Sequence, residues 1–372
     1  MARAARRGGT AQRTAERPEQ RGPAEVRVPS GSWLVCGGDG RLTAYAYGPE
    51  GVLRWTEERP GGQDWQGPDL FPATGIDHLT LAQDTHRYVH LAGRRRTGRE
   101  PGTGPVVEFV HAVQYQTGRT LGTFRSLGNP HIKIVSRQPR VGTPVLAVDN
   151  GGTVHLVMCN GARGMTIRRE DKTGKWTGWK DLKGRLLYER PAAVATSTGT
   201  LELLAAGEEP AWHFRREVPH GPFERLPDIP LSVRPGSLTG IETSPGRVTY
   251  YWTDPDSGAV VAHRPGGWLI PLGGAPGEGP VTVLRTPVDG VDSTVFAYRD
   301  EAGEVFLAHC RSEHEQDGLW WAPTGLHGIG GPGLAVDGAG RLVVGVYGPD
   351  GRLRLARHDG RRGLALGPVL TV

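Results

Sequence analysis

Ten tryptophans, a run of arginines and a few histidines are the side chains of this 372-residue sequence best suited to chemistry. Trp65, Trp176, Trp179, Trp268, Trp320 and Trp321 stand in outer, turn-rich segments. A flat apolar ring there can stack on the C–H face of a sugar, on a base or on a cation. The plainer use of such rings is to fill the wedge between packed sheets. Trp176 and Trp179 are three apart, which puts their rings on opposite faces of a strand and leaves one expected to face outward. Two basic segments follow. Gly93-Arg94-Arg95-Arg96-Thr97-Gly98-Arg99-Glu100 reads as a loop, and His131, Lys133, Arg137 and Arg140 share another. Clustered guanidinium groups suit a phosphate, sulfate or carboxylate, although a charge run is more commonly a solvated face.

Among the histidines, His78 begins an inner strand and could point inward, while His131 sits in the second basic loop. They are the two catalytic candidates, each more ordinarily a core or channel-lining residue. His86 and His90 share a strand face but lie about 13 Å apart at strand rise, too far to hold one metal. Asp254-Pro255-Asp256-Ser257-Gly258 and Asp289-Gly290-Val291-Asp292 lack calcium-loop spacing with a distal glutamate and read as hairpin turns. No nucleophile-elbow, zinc-protease, phosphate-loop or dinucleotide glycine pattern occurs. Neither a metal nor a cofactor is expected.

The elements that position these residues emerge from a repeat. Residues 37–57 (GGDGRLTAYAYGPEGVLRWTE) and 337–357 (DGAGRLVVGVYGPDGRLRLAR) match at ten of 21 positions without a gap. Leu42, Ala44 and Ala46 alternate with Thr43, Tyr45 and Tyr47, the period of a strand. Tyr47-Gly48-Pro49-Glu50-Gly51 is turn chemistry, and Val52–Thr56 returns as a second strand of a hairpin. Related units recur between the two copies, most closing on an aromatic and a Leu-Gly or Leu-Pro stop. Four strands every 40 to 57 residues is the period of a propeller blade. A blade alone leaves both faces bare; neighbours in a closed ring cover them.

The expected fold is therefore all-β: one seven-bladed propeller of four-stranded antiparallel blades over 23–372. Its blades fall at about 32–72, 73–129, 142–184, 189–230, 235–274, 279–328 and 331–368. Six blades follow instead if 191–230 is shared between its neighbours. Residues 24–28 are expected to add a strand to the last blade and fasten the ring. In such a ring the loop between strands two and three opens on the same end as the loop into the next blade, so the two basic segments should meet.

Composition agrees with many short strands and tight turns: 57 Gly, 30 Pro and 37% hydrophobic residues. Of the net charge of +5, four units come from six arginines against two glutamates in residues 1–22. That segment is expected to be a disordered, solvated tail. The folded body is left near neutral, which argues against specific nucleic-acid binding. Cys36, Cys159 and Cys310 read as reduced strand thiols, odd in number and without CxxC spacing. No apolar region follows the basic N-terminus, so no signal peptide is expected. No stretch of 18 apolar residues argues for a membrane span, and a cytoplasmic location is the expectation.

Lys175-Trp176-Thr177-Gly178-Trp179-Lys180-Asp181-Leu182, together with Leu272-Gly273-Gly274, resembles the repeats of bacterial seven-bladed propeller lectins of the tachylectin type. The resemblance implies a non-enzymatic, carbohydrate-binding module with sites between blades. Two other functions remain open. One is an enzyme of hydrolase, lyase or isomerase type acting on an anionic small molecule at the mouth of the central channel, near His78, His131 and the basic loops. It requires a polar pocket on the axis, and an apolar plug would exclude it. The other is a protein-interaction scaffold tethered by the basic tail.

Overall fold

The computed structural model describes residues 25–98, 105–188 and 190–372. These form seven antiparallel four-stranded sheets in chain order, with almost no helix. In the first blade the strands are Leu34–Cys36, Leu42–Gly48, Gly51–Glu57 and Trp65–Pro72. Blades 2 to 7 span 76–128, 145–183, 192–225, 239–273, 282–327 and 329–371. From blade 2 round to blade 1 each inner strand packs against the next, and the second strand of blade 1 packs on the inner strand of blade 2, so the ring is closed. The unit over 191–230 is a full blade, Ala192–Ala195 to Glu224–Arg225, which settles the count at seven.

Each blade buries both faces of its second strand, because another blade lies on each side. All seven residues of Leu42–Gly48 are buried, as are all six of Val154–Cys159 and of Leu342–Tyr347. The alternation visible in the sequence is therefore one of size between two apolar environments. Near the start of this strand six blades carry one buried polar group: Thr43, His90, His155, Glu202, Thr249 and Thr294. The three cysteines lie on strands, and no disulfide joins them.

Blades 1 and 7 are each built from one continuous stretch of chain, so no shared strand closes the ring. Side chains do. Trp33, 1% exposed, lies between the two blades with its ring 4.9 Å from that of Tyr347, and its Nε1 donates to the Gly331 carbonyl at 3.1 Å. It fits because Gly333 and Gly345 have no side chain: a Cβ there would come within 2.8 and 3.1 Å of the indole. Gly345 occupies the repeat position that holds Tyr45 in blade 1, and it is the copy facing Trp33 that must stay bare. Glu57 pairs with Arg357 at 2.6 Å across the same seam. Arg41 and Arg341, the arginine of the Gly-Arg-Leu repeat, do one job twice. Arg41 donates to the Thr117 carbonyl of blade 2 at 3.1 Å, and Arg341 to the Gly61 carbonyl of blade 1 at 3.4 Å.

The expected fastening strand at 24–28 does not join the last blade. Arg27 exchanges backbone hydrogen bonds with Tyr47 of blade 1 at 2.8 and 3.0 Å, and Ser30–Gly31 pairs in parallel with the inner strand of blade 2. The N-terminal run thus adds a short fifth strand to blade 2 and leaves blade 7 with the four strands of its own. The expected tail at 1–22 lies outside the described residues. No helix among the described residues is long and apolar enough to cross a membrane.

Because Trp33 is a single ring keying the one seam without chain continuity, Trp33→Ala is expected to lower stability by about 3–5 kcal/mol. Urea unfolding of the variant beside the wild type measures this.

Candidate functional site

A ring of antiparallel blades sorts its loops by end. Turns between strands two and three, and connections to the next blade, gather at one rim; the other turns gather at the opposite rim. The first rim carries the basic segments and the channel entrance. Arg94, Arg95 and Arg96 lie on a strand and not in a loop, since Val89–Thr97 pairs with Val106–Gln114 through Thr97 and Val106. Acidic partners hold this charged strand end in register. Arg95 pairs with Glu108 at 2.6 Å on one face. On the other, Asp77 accepts from Arg94 Nε at 2.9 Å and from Arg96 Nε. Arg99 and Glu100 lie outside the described residues.

The two basic segments do meet. Arg94 and Arg96 line a groove of about 560 Å³ with Arg140, Asn160, Arg163 and Tyr188. Arg163 is bound to Glu208 at 2.8 Å. Lys133 and Arg137 are exposed beyond the groove. His131 Nε2 accepts from the Gly161 backbone N–H at 2.9 Å, a contact that ties one blade connection to a turn of blade 3.

On the axis, His78 and Ser30 are hydrogen-bonded at 3.1 Å. Burial, helped by the charges of Arg190 and Arg94, pushes the His78 imidazole down to about 3, so it is neutral near pH 7. The lumen is not plugged by apolar side chains: a cavity of about 280 Å³ runs along the inner strands, with Arg190, Thr80, Thr239 and Thr282 in its wall. His131 is engaged away from this site.

The tryptophans divide. Trp179 packs on Phe109 of blade 2 and donates Nε1 to the Leu127 carbonyl at 3.2 Å. Trp321 does the same one half-turn around the ring, packing on Tyr298 and donating to the Leu272 carbonyl of blade 5 at 2.8 Å. Trp176 lies edge-on to His111 in the same cluster as Trp179. The expectation that one of Trp176 and Trp179 faces out is therefore corrected. The strand resumes only at Lys180, so no alternation operates across Thr177-Gly178. Trp65 is partly buried against the first core cluster. Trp268 and Trp320 stand 92% and 87% exposed in outer hairpins of blades 5 and 6.

Polar groups between blades are mostly closed to ligands. Asp149, His155 and Arg216 have side chains with no exposure, Arg216 donating to Asp149 at 2.8 Å and His155 lying 3.1 Å from the same carboxylate. His90 stacks on His111 with the ring nitrogens 3.3 Å apart. Among the described residues no cluster of His, Cys, Asp and Glu is placed to hold a metal.

An inter-blade cleft opens on the rim opposite the basic groove. It lies between blades 1 and 2 and has a volume of about 440 Å³, with Asp39, Arg41, His86, Arg87, Tyr115, Thr117 and Arg119 around it. The turn that presents Arg87 is built by Asp84, whose carboxylate accepts from the Tyr88 N–H at 2.8 Å. Arg87 takes a φ of 66° at its tip. Tyr115, 63% exposed, stands edge-on to Tyr88 with centroids 5.2 Å apart, and His86 lies 5.7 Å from Tyr88. Arg41 donates to Asp39 at 2.8 Å. Burial raises the Asp39 carboxyl, but the hydrogen bonds from Arg41 and Thr117 outweigh it and hold the group below the usual carboxylate range. Beneath the cleft, buried Arg54 donates to Gln114 at 3.0 Å and pairs with Asp69 at 2.5 Å. The cleft thus offers an aromatic platform, one ion pair and two further guanidinium groups.

The chain matches no known family model and no curated protein sequence. Its likeness to known proteins is one of fold. The BP39L lectin of Burkholderia pseudomallei superposes with a TM-score of 0.66 at 11% identity, over 91% of this chain and 99% of that one. An ulvan lyase of polysaccharide lyase family 25, bound to -[GlcA(1-4)Rha3S]-, gives 0.55 at 11% identity over 94% and 96%. The lectin of Aleuria aurantia, in complex with Fucα1-6GlcNAc, gives 0.51 at 9% over 78% and 94%.

Sequence reasoning missed Tyr115, Arg87 and Arg119. The signal available was the hydrophilic stretch Tyr115-Gln116-Thr117-Gly118-Arg119 after a strongly apolar strand, a hairpin tip carrying an aromatic where polar residues are usual.

Burial lowers His111 to about 3, with further help from His90 and Arg125, as it does His78. The unfolded chain takes up these protons near the ordinary histidine value of 6.5, and the folded chain does not until far lower pH. Stability is therefore complete above 6.5 and falls by about 1.4 kcal/mol per pH unit for each such histidine below it. Urea midpoints at pH 7, 6 and 5 are expected to decline, and His111→Gln to remove one increment of the slope.

Proposed function

We propose that this protein is a lectin-like binding module for a saccharide bearing a carboxylate or sulfate, held in the cleft between blades 1 and 2. The observation that carries the reading is the exposed Tyr115 ring beside three arginines and one aspartate in a cleft of about 440 Å³. A pyranose ring presents apolar C–H groups on its face and hydroxyl pairs at its edge. Tyr115 suits the face. The Arg41–Asp39 pair offers a donor and an acceptor to vicinal hydroxyls. Arg87 and Arg119 have no carboxylate partner among the described residues, so the cleft carries two positive charges in excess, and an acidic substituent answers them. The similar folds are two lectins and a lyase bound to an acidic saccharide, and sugar chemistry on the scaffold is consistent with them by analogy.

Titration calorimetry with glucuronate-containing and neutral oligosaccharides tests the reading. Tyr115→Ala is expected to weaken every bound saccharide roughly tenfold. Arg87→Ala and Arg119→Ala are expected to weaken only the acidic ones. A glycan array without hits, together with unchanged binding in Tyr115→Ala, sinks it.

A further inference from the structure

The axial lumen is lined by a cation with no carboxylate partner among the described residues. Arg190 enters the inner strand of blade 4 and forms part of the cavity wall. Among the described residues it has no carboxylate partner and no hydrogen bond, and its Nε is buried without one. Among the described residues the nearby Asp77 already holds both Arg94 and Arg96. We infer that Arg190 anchors a second ligand site, at the mouth of the central channel, which takes a small solute through a single carboxylate or sulfate group.

Three features support this. A guanidinium removed from water without a partner is costly, and a forked contact to an oxyanion is the interaction that best offsets the cost. Burial lowers Arg190 to about 10, which still leaves it charged at neutral pH. Arg190 itself contributes one positive charge to the cavity wall, and one negative group is its complement. Thr80, Thr239 and Thr282 add polar groups to the wall, while Leu146 and Leu334 give the lumen apolar surface. At about 280 Å³ the cavity is near the low end of the roughly 300–1,000 Å³ of small-molecule sites. A free monosaccharide acid or a smaller anion fits that size; a chain passing along the surface does not.

The site is independent of the cleft on the opposite rim, and the test separates them. The full chain is titrated with sodium acetate, sodium glucuronate and sodium sulfate against sodium chloride at equal ionic strength, followed by calorimetry and by the His78 imidazole resonances. Saturable binding above the chloride response is expected, weakened at least about tenfold in Arg190→Gln and less in Arg190→Lys, with Tyr115→Ala unaffected. Without added anion, Arg190→Gln is expected to melt no lower than the wild type, because it removes an uncompensated buried charge. A response to acetate and glucuronate alone assigns a carboxylate site, and a response to sulfate alone a sulfate site. Equal binding by wild type and Arg190→Gln overturns the inference. So do His78 resonances that no anion moves more than chloride does, a readout that does not depend on any variant folding.

Discussion

A blade with apolar groups on both faces cannot stand in water, and everything else in this molecule follows from hiding those faces. Six of the seven junctions are made by chain that runs directly from one sheet into the next. The seventh has no such help. It rests on the Trp33 indole lying over two bare glycines, with Tyr347 beside it and the Glu57–Arg357 pair at its edge. Dispersion and area burial supply most of this closure, while the ion pair sets register. The same logic repeats outward: Trp179 and Trp321 each lean back onto the preceding blade and cap a leucine carbonyl. Arg41 and Arg341 each reach forward to the following one.

Closure also decides which polar residues are free to act. The acids, histidines and arginines drawn into the inter-blade seams, such as Asp149, His155 and Arg216, satisfy one another out of reach of solvent and hold sheets together. What remains accessible sits at the rims, where turns project beyond the packed layers. The two rims differ in kind. One is a basic groove beside the axial entrance, four arginines against Asp77 and Glu208. The other carries the Tyr115 cleft, where aromatic surface and unanswered arginines coexist.

The architecture was readable because it is written in local terms. Strand alternation, Pro-Gly turns and a 21-residue copy placed at both ends of the chain are short-range signals, and a ring is the one arrangement that repeats them without leaving a bare face. Features that depend on side-chain contacts across strands or between neighbouring blades were not readable. Arg94 to Arg96 looked like a loop because charge suggests solvent, yet Glu108 and Asp77 keep them on a strand. Spacing alone sent Trp176 and Trp179 to opposite faces, but an irregular step between them turns both inward. The convergence of the basic segments was legible, since it needs only the order of strands. Arg190 was invisible: its significance lies in the absence of a partner in the lumen, and no local pattern announces that.

The N-terminal run has a consequence for how the molecule can be displayed. Arg27 is pinned to the end of the second strand of blade 1, and Val28 abuts Gly330 at the start of the first strand of blade 7. Both lie on the rim that carries the channel entrance. A fusion partner or immobilising linker attached ahead of residue 25 would shadow that entrance and leave the Tyr115 side turned toward the medium. Attachment geometry would then select which rim meets a multivalent surface, before any difference in affinity is considered.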